Sequence, residues 1–285
     1  MMGVFFLLLS QIFLALMDAV GKKLSDHYPI IFLIWARYST LLILVLALVL
    51  PKTGAKALLT KRLGLHLLRA VLLIATSILG LFALTMLPLG EVAGLSFIAP
   101  LMTVVLAAIF LGDSMTRIQV LCMVVGSVGV MLIGQLGGSP NWIGVLLVMS
   151  AAFCFSLYQI GTKKLVKTES HVSLLVYPAL LASVGLAIFA LFGLDINMLS
   201  FDHLKWILLL GFLSGAGHYC ANISVSFSSF SRLGPFMYFQ FLWAVLFGWL
   251  YFGELPKFWI FFGASLIISA IIVSTSRRQV SLDKI

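Results

Sequence analysis

Long apolar runs, separated by short polar connections, cover almost the whole chain of 285 residues. A helix needs about 20 apolar residues to cross a bilayer core of about 30 Å. Runs near that length occur ten times, and several connections between them are very short. The pattern therefore predicts an all-α membrane protein with ten transmembrane helices, at residues 3–23, 29–50, 65–86, 91–111, 118–136, 142–163, 172–193, 204–225, 233–252 and 258–276.

The chain also repeats itself at a constant shift of 141 residues. The apolar stretch at 87–113 aligns without a gap with the stretch at 228–254, and each ends in a glycine followed by a carboxylate. A constant offset indicates a duplicated unit. We therefore predict two five-helix repeats, at residues 1–141 and 142–285. Because five is odd, the second repeat enters the membrane from the opposite side, an inverted arrangement typical of secondary transporters with a substrate site near the midplane.

The composition supports a lipid environment and excludes several other classes. The chain is 62% hydrophobic and 9% charged, with a mean hydropathy of +1.18, whereas a soluble domain is roughly 25% charged. The three cysteines each lie inside an apolar run, with no metal-binding spacing. Phosphate-binding glycine loops and the common hydrolase and metalloprotease motifs are missing. We therefore expect no metal, no cofactor and no enzyme activity, and any pumping would use an ion or substrate gradient.

The basic residues predict how the chain is oriented. The formal net charge is +9, but the cationic residues lie in short connections and form no stripe that would suggest nucleic acid. Twelve of the eighteen lysines and arginines fall on the side of both termini and four on the other side. Positive charge collects on the cytoplasmic side. We therefore expect a multi-pass protein of the cytoplasmic (inner) membrane, with both termini in the cytoplasm and a first span that is retained, since it lacks the basic start of a signal peptide.

Charged side chains inside spans cost roughly 2.5 to 3.5 kcal/mol each on insertion scales, so each needs a partner or a function. Asp18, Lys22, Arg37 and Glu91 all fall toward the outer side and could form one ion-paired cluster. The cluster would either position helices or act as a substrate or proton site. Arg69 falls near the inner end of the third span, where we expect it to snorkel to the interface; the alternative is charge selection at an inner gate.

Polar residues in three other spans are candidates for a substrate site. The eighth span holds a histidine and an asparagine one turn apart, flanked by small residues that let helices approach closely. The ninth holds aromatic residues beside an amide, which could enclose a planar or cationic ligand. Core packing and interfacial placement are the alternatives for all of them. The predicted substrate-binding residues are His218, Asn222, Tyr238, Gln240, Trp243 and Tyr158.

Two pairs at the ends of helices have a structural interpretation. We read Gly112 and Gly253 as tight-turn residues, and the carboxylates that follow them, Asp113 and Glu254, as interface caps. A joint catalytic role is not expected, because inversion would hold the two pairs a membrane thickness apart.

Several segments resemble the EamA branch of the drug/metabolite transporter superfamily, over essentially the whole chain. The ninth span departs from the family pattern, because Phe241 stands where a proline is common. The pattern around Arg37, Arg69 and the segment VSLLVYP is most similar to the subgroup for S-adenosylmethionine uptake. The resemblance implies a central cavity between two halves and alternating access. It rests on DAVGKKL, FLIWARY, LLRA, the run from Ala99 to Asp113, and FGELPKFWIFFGASLIISAIIV.

These observations predict a secondary active or facilitative transporter that moves a small polar or amphipathic metabolite, such as an amino acid or an S-adenosylmethionine-like compound. Its expected partners are that small molecule and membrane lipid. The alternative is a non-transporting receptor or assembly subunit. Monomer and homodimer, import and export, and the mode of coupling all stay open at this point.

Overall fold

Helices make up every regular element in the part of the chain that the structure describes. The computed structural model describes residues 2–87, 92, 95–96, 98–113, 116–134, 141–192, 200–253, 262, 265–266 and 269. A π-helical turn, Val45–Val49, joins α2 to α3, and a short 3₁₀ helix, Ala55–Leu58, follows α3. The α-helices are α1 (Met2–Ser25), α2 (Ile30–Leu44), α3 (Leu50–Thr53), α4 (Leu63–Leu84), α5 (Ile98–Leu111), α6 (Arg117–Gly134), α7 (Trp142–Leu165), α8 (His171–Phe192), α9 (Phe201–Phe227), α10 (Phe230–Met237) and α11 (Phe239–Phe252).

Within the part of the chain that the structure describes, six helices are long and apolar enough to cross a bilayer, so the chain is a multi-pass membrane protein. The tenth predicted span, 258–276, falls mostly outside the described residues. A count of ten helices therefore stays a prediction. The six spanning helices are Met2–Ser25, Ile30–Thr53, Leu63–Ala83, Trp142–Leu165, His171–Phe192 and Phe201–Phe227.

The two glycines at the predicted tight turns adopt the left-handed conformation that favours glycine. The φ angle is +68° at Gly112, after α5, and +64° at Gly253, after α11. The predicted turns are therefore confirmed. Asp113 Oδ2 accepts a hydrogen bond from the backbone N–H of Phe230 at 3.1 Å, at the start of α10, and its role as an interface cap stays a prediction. Glu254 lies outside the described residues.

The helices pack as a bundle in which each one contacts several others. α1 lies along α9, α4 along α7, and α2 along α8; α2 also contacts α9, α4 contacts α8, α5 contacts α7, and α1 contacts α11. Small residues on α9 allow close approaches. A Cβ atom at Gly217 would lie 2.8 Å from Leu14 of α1, and one at Gly211 would lie 2.5 Å from Thr40 of α2. The prediction that small residues of the eighth span let helices approach is confirmed.

The ninth predicted span, 233–252, is not one continuous helix. It is interrupted at Tyr238, between α10 and α11. Pro235 lies inside α10, three residues before the break, and a proline removes one backbone hydrogen bond and crowds the preceding turn. The break in this span thus lies beside Pro235, six residues before Phe241, the position at which the resemblance leads one to look for a proline.

Candidate functional site

A cavity of about 380 Å³ lies where α1, α4, α5, α7, α9 and α11 come together. Its volume falls in the range of small-molecule sites, roughly 300 to 1,000 Å³. Apolar side chains form most of the wall, including Leu14 of α1 and Phe155 of α7. The polar residues of the lining are Ser10, Gln11, Thr76, Ser96, Gln159, His218 and Gln240.

Two polar groups of α1 are buried without a partner in the described part of the chain. Gln11 is 4% exposed and its Oε1 accepts no hydrogen bond, and the hydroxyl of Ser10, 1% exposed, is also unpaired. Unpaired buried polar atoms are costly and need an explanation. Since both residues line the cavity, a ligand with matching polar groups would satisfy them.

Two of the predicted substrate residues, His218 and Gln240, lie on the cavity wall. Gln240 Nε2 donates a hydrogen bond to Asp18 Oδ2 at 3.3 Å. This contact joins the cavity wall to the carboxylate of Asp18 on α1. The positive charge of Arg37 also acts on Asp18.

The other members of the predicted outer charged cluster are placed differently. Lys22 Nζ lies 4.7 Å from the centre of the Phe252 ring. The guanidinium of Arg37 lies 4.5 Å from the ring centre of Tyr38. Glu91 lies outside the described residues. Asp18 and Arg37 are thus near each other, and a single cluster of four stays a prediction.

Three of the predicted substrate residues do not belong to the cavity lining. Asn222 is buried within α9, with a side-chain nitrogen that has no partner in the described residues. Trp243 stacks on Phe247, with ring centres 6.0 Å apart. Tyr158 packs behind the wall residue Phe155, with ring centres 5.9 Å apart. Tyr158 thus contacts the wall through Phe155, whereas Asn222 and Trp243 are outside the lining.

Tyr238 is a fourth predicted substrate residue outside the lining, and it anchors the break between α10 and α11. It is 1% exposed. Its hydroxyl donates to the carbonyl oxygen of Met123 at 3.0 Å and lies 2.8 Å from Ser127 Oγ. Both partners belong to α6, so Tyr238 ties the interrupted helix to its neighbour.

A Tyr238→Phe variant is expected to unfold more readily while still transporting substrate. Removal of the hydroxyl leaves the buried Met123 carbonyl and Ser127 hydroxyl without this partner, which costs roughly 1 to 3 kcal/mol. The measurement is the thermal unfolding midpoint in detergent, beside uptake into proteoliposomes. Tyr251→Phe is the matched control, because Tyr251 is 68% exposed. Lost uptake at unchanged stability would instead place Tyr238 in the substrate path.

The expectation that Arg69 snorkels to the interface is wrong. It is fully buried between α4 and α7, where its Nε donates to Thr162 Oγ1 at 3.0 Å and its guanidinium lies 4.7 Å from the ring centre of Tyr158. Gly161 explains the burial, because a Cβ there would lie 2.7 Å from Arg69 Cγ. The missing side chain on α7 makes room for the arginine stem.

The polar residues of α1 were missed by the sequence reasoning. Ser10 and Gln11 interrupt the first apolar run, FFLLLSQIFLAL, and that interruption is the signal that could have identified them. Thr76 and Ser96 are harder to identify from the sequence. Their hydroxyls donate to the backbone carbonyls of Leu72 and Val92, four residues earlier, so neither residue needs a distant polar partner.

Comparison with known proteins gives a consistent result. Residues 1–135 and, separately, 142–276 match the model of the EamA-like transporter family. A riboflavin transporter of Brucella anthropi is 28% identical over 246 residues, which cover 85% of this chain and 86% of that protein. An S-adenosylmethionine uptake transporter of Rickettsia conorii is 26% identical over 267 residues, covering 93% and 90%. A solved structure with 17% identity superposes with a TM-score of 0.82, over 98% of this chain and 97% of that one, and so shares the fold.

Proposed function

We propose that this chain, which belongs to the EamA-like transporter family and transports a small metabolite, works by alternating access around its central cavity. The transporter consists of ten helices in two inverted five-helix repeats, residues 1–141 and 142–285. It resides in the cytoplasmic membrane with both termini in the cytoplasm. The substrate binds between the two repeats, as in other transporters of this architecture.

Helix positions and contacts support the two repeats. A shift of 141 residues carries Ile98–Leu111 onto Phe239–Phe252, and a left-handed glycine follows each helix. The same shift relates α1 to α7 and α4 to α9. The contact of α1 with α9 therefore corresponds to the contact of α7 with α4, and both contacts are present. A pseudo-two-fold relation between halves produces this exchange of partners.

The composition of the cavity wall is the observation that carries the proposal. Twelve of its residues form six pairs that are related by the 141-residue shift. A cavity between two related halves is lined in this way when it lies on their pseudo-two-fold axis. The pairs are Ser10 with Ala151, Gln11 with Ala152, Leu14 with Phe155, Gly80 with Ala221, Ser96 with Met237, and Ala99 with Gln240.

The residues of a pair differ in chemistry although their positions in the two repeats correspond. Under the 141-residue shift, Gln11 corresponds to Ala152 and Gln240 corresponds to Ala99. The described lining combines three glutamine amides with His218 and the ring of Phe155, and it contains no Asp, Glu, Lys or Arg. An amide side chain pairs well with the donor and acceptor edge of a nitrogen heterocycle.

We therefore assign the cavity to a metabolite with a polar nitrogen heteroaromatic ring rather than to a free amino acid. Two of the similar proteins are named for riboflavin and for S-adenosylmethionine, and both compounds contain such a ring. The carboxylate of Asp18 at the wall residue Gln240 marks the entrance on the predicted outer side.

The opposite end of the bundle is closed by bonds between helix ends. Lys163 Nζ donates to the carbonyl oxygens of Val225 and Ser228, the latter at 2.6 Å. Ser224 Oγ donates to the carbonyl oxygen of Gly3 at 2.7 Å. These contacts join α7, α9 and α1 on the predicted cytoplasmic side, so we assign this conformation to the outward-open half of the transport cycle.

The test is uptake of labelled riboflavin and S-adenosylmethionine into proteoliposomes that contain the purified protein. Gln240→Leu and His218→Leu are expected to lower kcat/KM for the transported probe about 5- to 150-fold, because loss of one buried hydrogen bond to the substrate costs roughly 1 to 3 kcal/mol. Ser226→Ala is the control, since Ser226 is exposed and its hydroxyl contacts only its own helix in the described residues. Parent rates in both cavity variants would show that this cavity is not the substrate site.

A further inference from the structure

Arg69 carries a charged group that is buried with most of its hydrogen-bonding capacity unused. Its exposed fraction is 0%. Of the five N–H donors of a guanidinium, the one on Nε reaches Thr162 Oγ1, while Nη1 and Nη2 have no hydrogen-bond partner among the described residues. An uncompensated charge in such a place is costly, and inside a membrane it is most often part of a transport path.

Among the described residues, no carboxylate forms an ion pair with Arg69. The nearest acidic contact in the described residues is made one turn earlier on α4, where His66 Nε2 lies 3.8 Å from Glu169 Oε2. Glu169 thus lies beside His66 rather than beside Arg69, and the His66 ring also packs on Tyr177, with ring centres 4.4 Å apart. The Tyr158 ring at 4.7 Å from the guanidinium is a weak substitute for an anion.

Arg69 lies directly beyond the cavity, toward the end of the bundle where α4 begins. Thr76, a wall residue, is seven residues further along α4, which is two turns and about 10 Å on the same helix face. On the other side, Phe155 of the wall stacks on Tyr158, which in turn faces Arg69. Two aromatic rings therefore separate the free guanidinium donors from the cavity.

We propose that Arg69 is an anion-binding subsite that takes the carboxylate or phosphate group of a substrate as it passes between the cavity and the predicted cytoplasmic side. The two free nitrogens form the planar fork that binds these groups in a bidentate manner. This role rests on the cavity being the substrate site.

Anion-dependent stability tests the subsite without requiring transport. The thermal unfolding midpoint of the purified protein is measured at constant pH and ionic strength while acetate or inorganic phosphate replaces chloride, which has no pair of oxygens for a bidentate contact with the guanidinium. The parent midpoint is expected to rise by roughly 5 °C at a hundredfold excess over the dissociation constant. Arg69→Gln should lose this rise, whereas Arg37→Gln, which removes the other intramembrane arginine, should keep it. A parent without the rise, or an equal rise in Arg69→Gln, overturns the proposal.

Arg69→Lys covers the case in which the glutamine variant does not fold. It keeps the charge but loses the fork, so the anion concentration that gives half of the rise should increase about tenfold; an unchanged concentration overturns the proposal. Uptake of S-adenosylmethionine and of its decarboxylated analogue distinguishes the two levels of the argument. If anions stabilise the parent through Arg69 but the parent takes up neither compound, the proposed function is wrong and the anion site is retained. If the parent takes up a probe but anions do not stabilise it, the proposed function is retained and the anion site is wrong.

Discussion

A Gly211→Ala variant is expected to unfold at a temperature roughly 5 to 10 °C lower than the parent. The added Cβ would lie 2.5 Å from Thr40 Cβ and 3.0 Å from the backbone nitrogen of Leu41. A side chain can rotate away, but the main chain of α2 cannot, so α2 and α9 must separate. Overpacking of this kind costs about 1 to 3 kcal/mol, which corresponds to a shift of several degrees in a chain of this size.

The matched control for Gly211 lies one turn away on the same helix. A Cβ at Gly215 would meet Leu41 Cγ at 3.5 Å, an ordinary contact. Alanine is better than glycine in a helix by up to about 1 kcal/mol, so Gly215→Ala should leave the midpoint unchanged or raise it. The two variants should therefore differ in sign in a melting experiment in detergent. Equal shifts would mean that the approach of α2 to α9 is looser than the distances indicate.

A Gly80→Phe variant is expected to reduce uptake at least about tenfold without loss of stability. Gly80 lies in the cavity wall, and a Cβ there would meet nothing within 4 Å. The phenylalanine ring therefore points into free space and occupies much of the cavity of about 380 Å³. Burial of the ring adds apolar contact, so the unfolding midpoint should stay the same or increase.

Gly185→Phe is the control for an added ring outside the cavity. Gly185 is exposed on α8, and a Cβ there also meets nothing within 4 Å. Uptake should stay at the parent level. If Gly80→Phe transports as well as Gly185→Phe at equal stability, the substrate does not pass through the cavity, and the proposed function must be assigned to another path.

Helix positions were predictable because lipid imposes a strong constraint. A run of about 20 apolar residues has few alternatives to a spanning helix, and predicted ends such as 142–163 fall within two residues of α7. The left-handed turns at Gly112 and Gly253 were equally predictable, since a glycine at the end of an apolar run is a local signal for the end of a helix. The break at Tyr238 was less predictable, because it depends on Pro235 and on the hydrogen bonds of the Tyr238 hydroxyl to α6.

The candidate site was only partly predictable, because membership of a cavity depends on contacts between distant segments. His218 and Gln240 stood out as polar groups in apolar helices, and both line the wall. Tyr238 looked the same by that criterion, yet it bonds to α6 instead. Arg69 is the clearest example: its burial follows from the missing side chain at Gly161, and no local pattern around Arg69 contains that information.

The hydrogen bonds that join helix ends around Lys163 and Asp113 have a consequence for how the sequence can vary. Lys163 donates to the main-chain oxygens of Val225 and Ser228, and Asp113 accepts from the main-chain nitrogen of Phe230. A main-chain atom is present whatever side chain the residue carries. The identities of Val225 and Phe230 are therefore not fixed by these bonds, whereas those of Lys163 and Asp113 are. In random mutagenesis, the residue that contributes a main-chain atom should tolerate substitution, whereas the residue that contributes its side chain should not. Contacts between two side chains do not show this asymmetry.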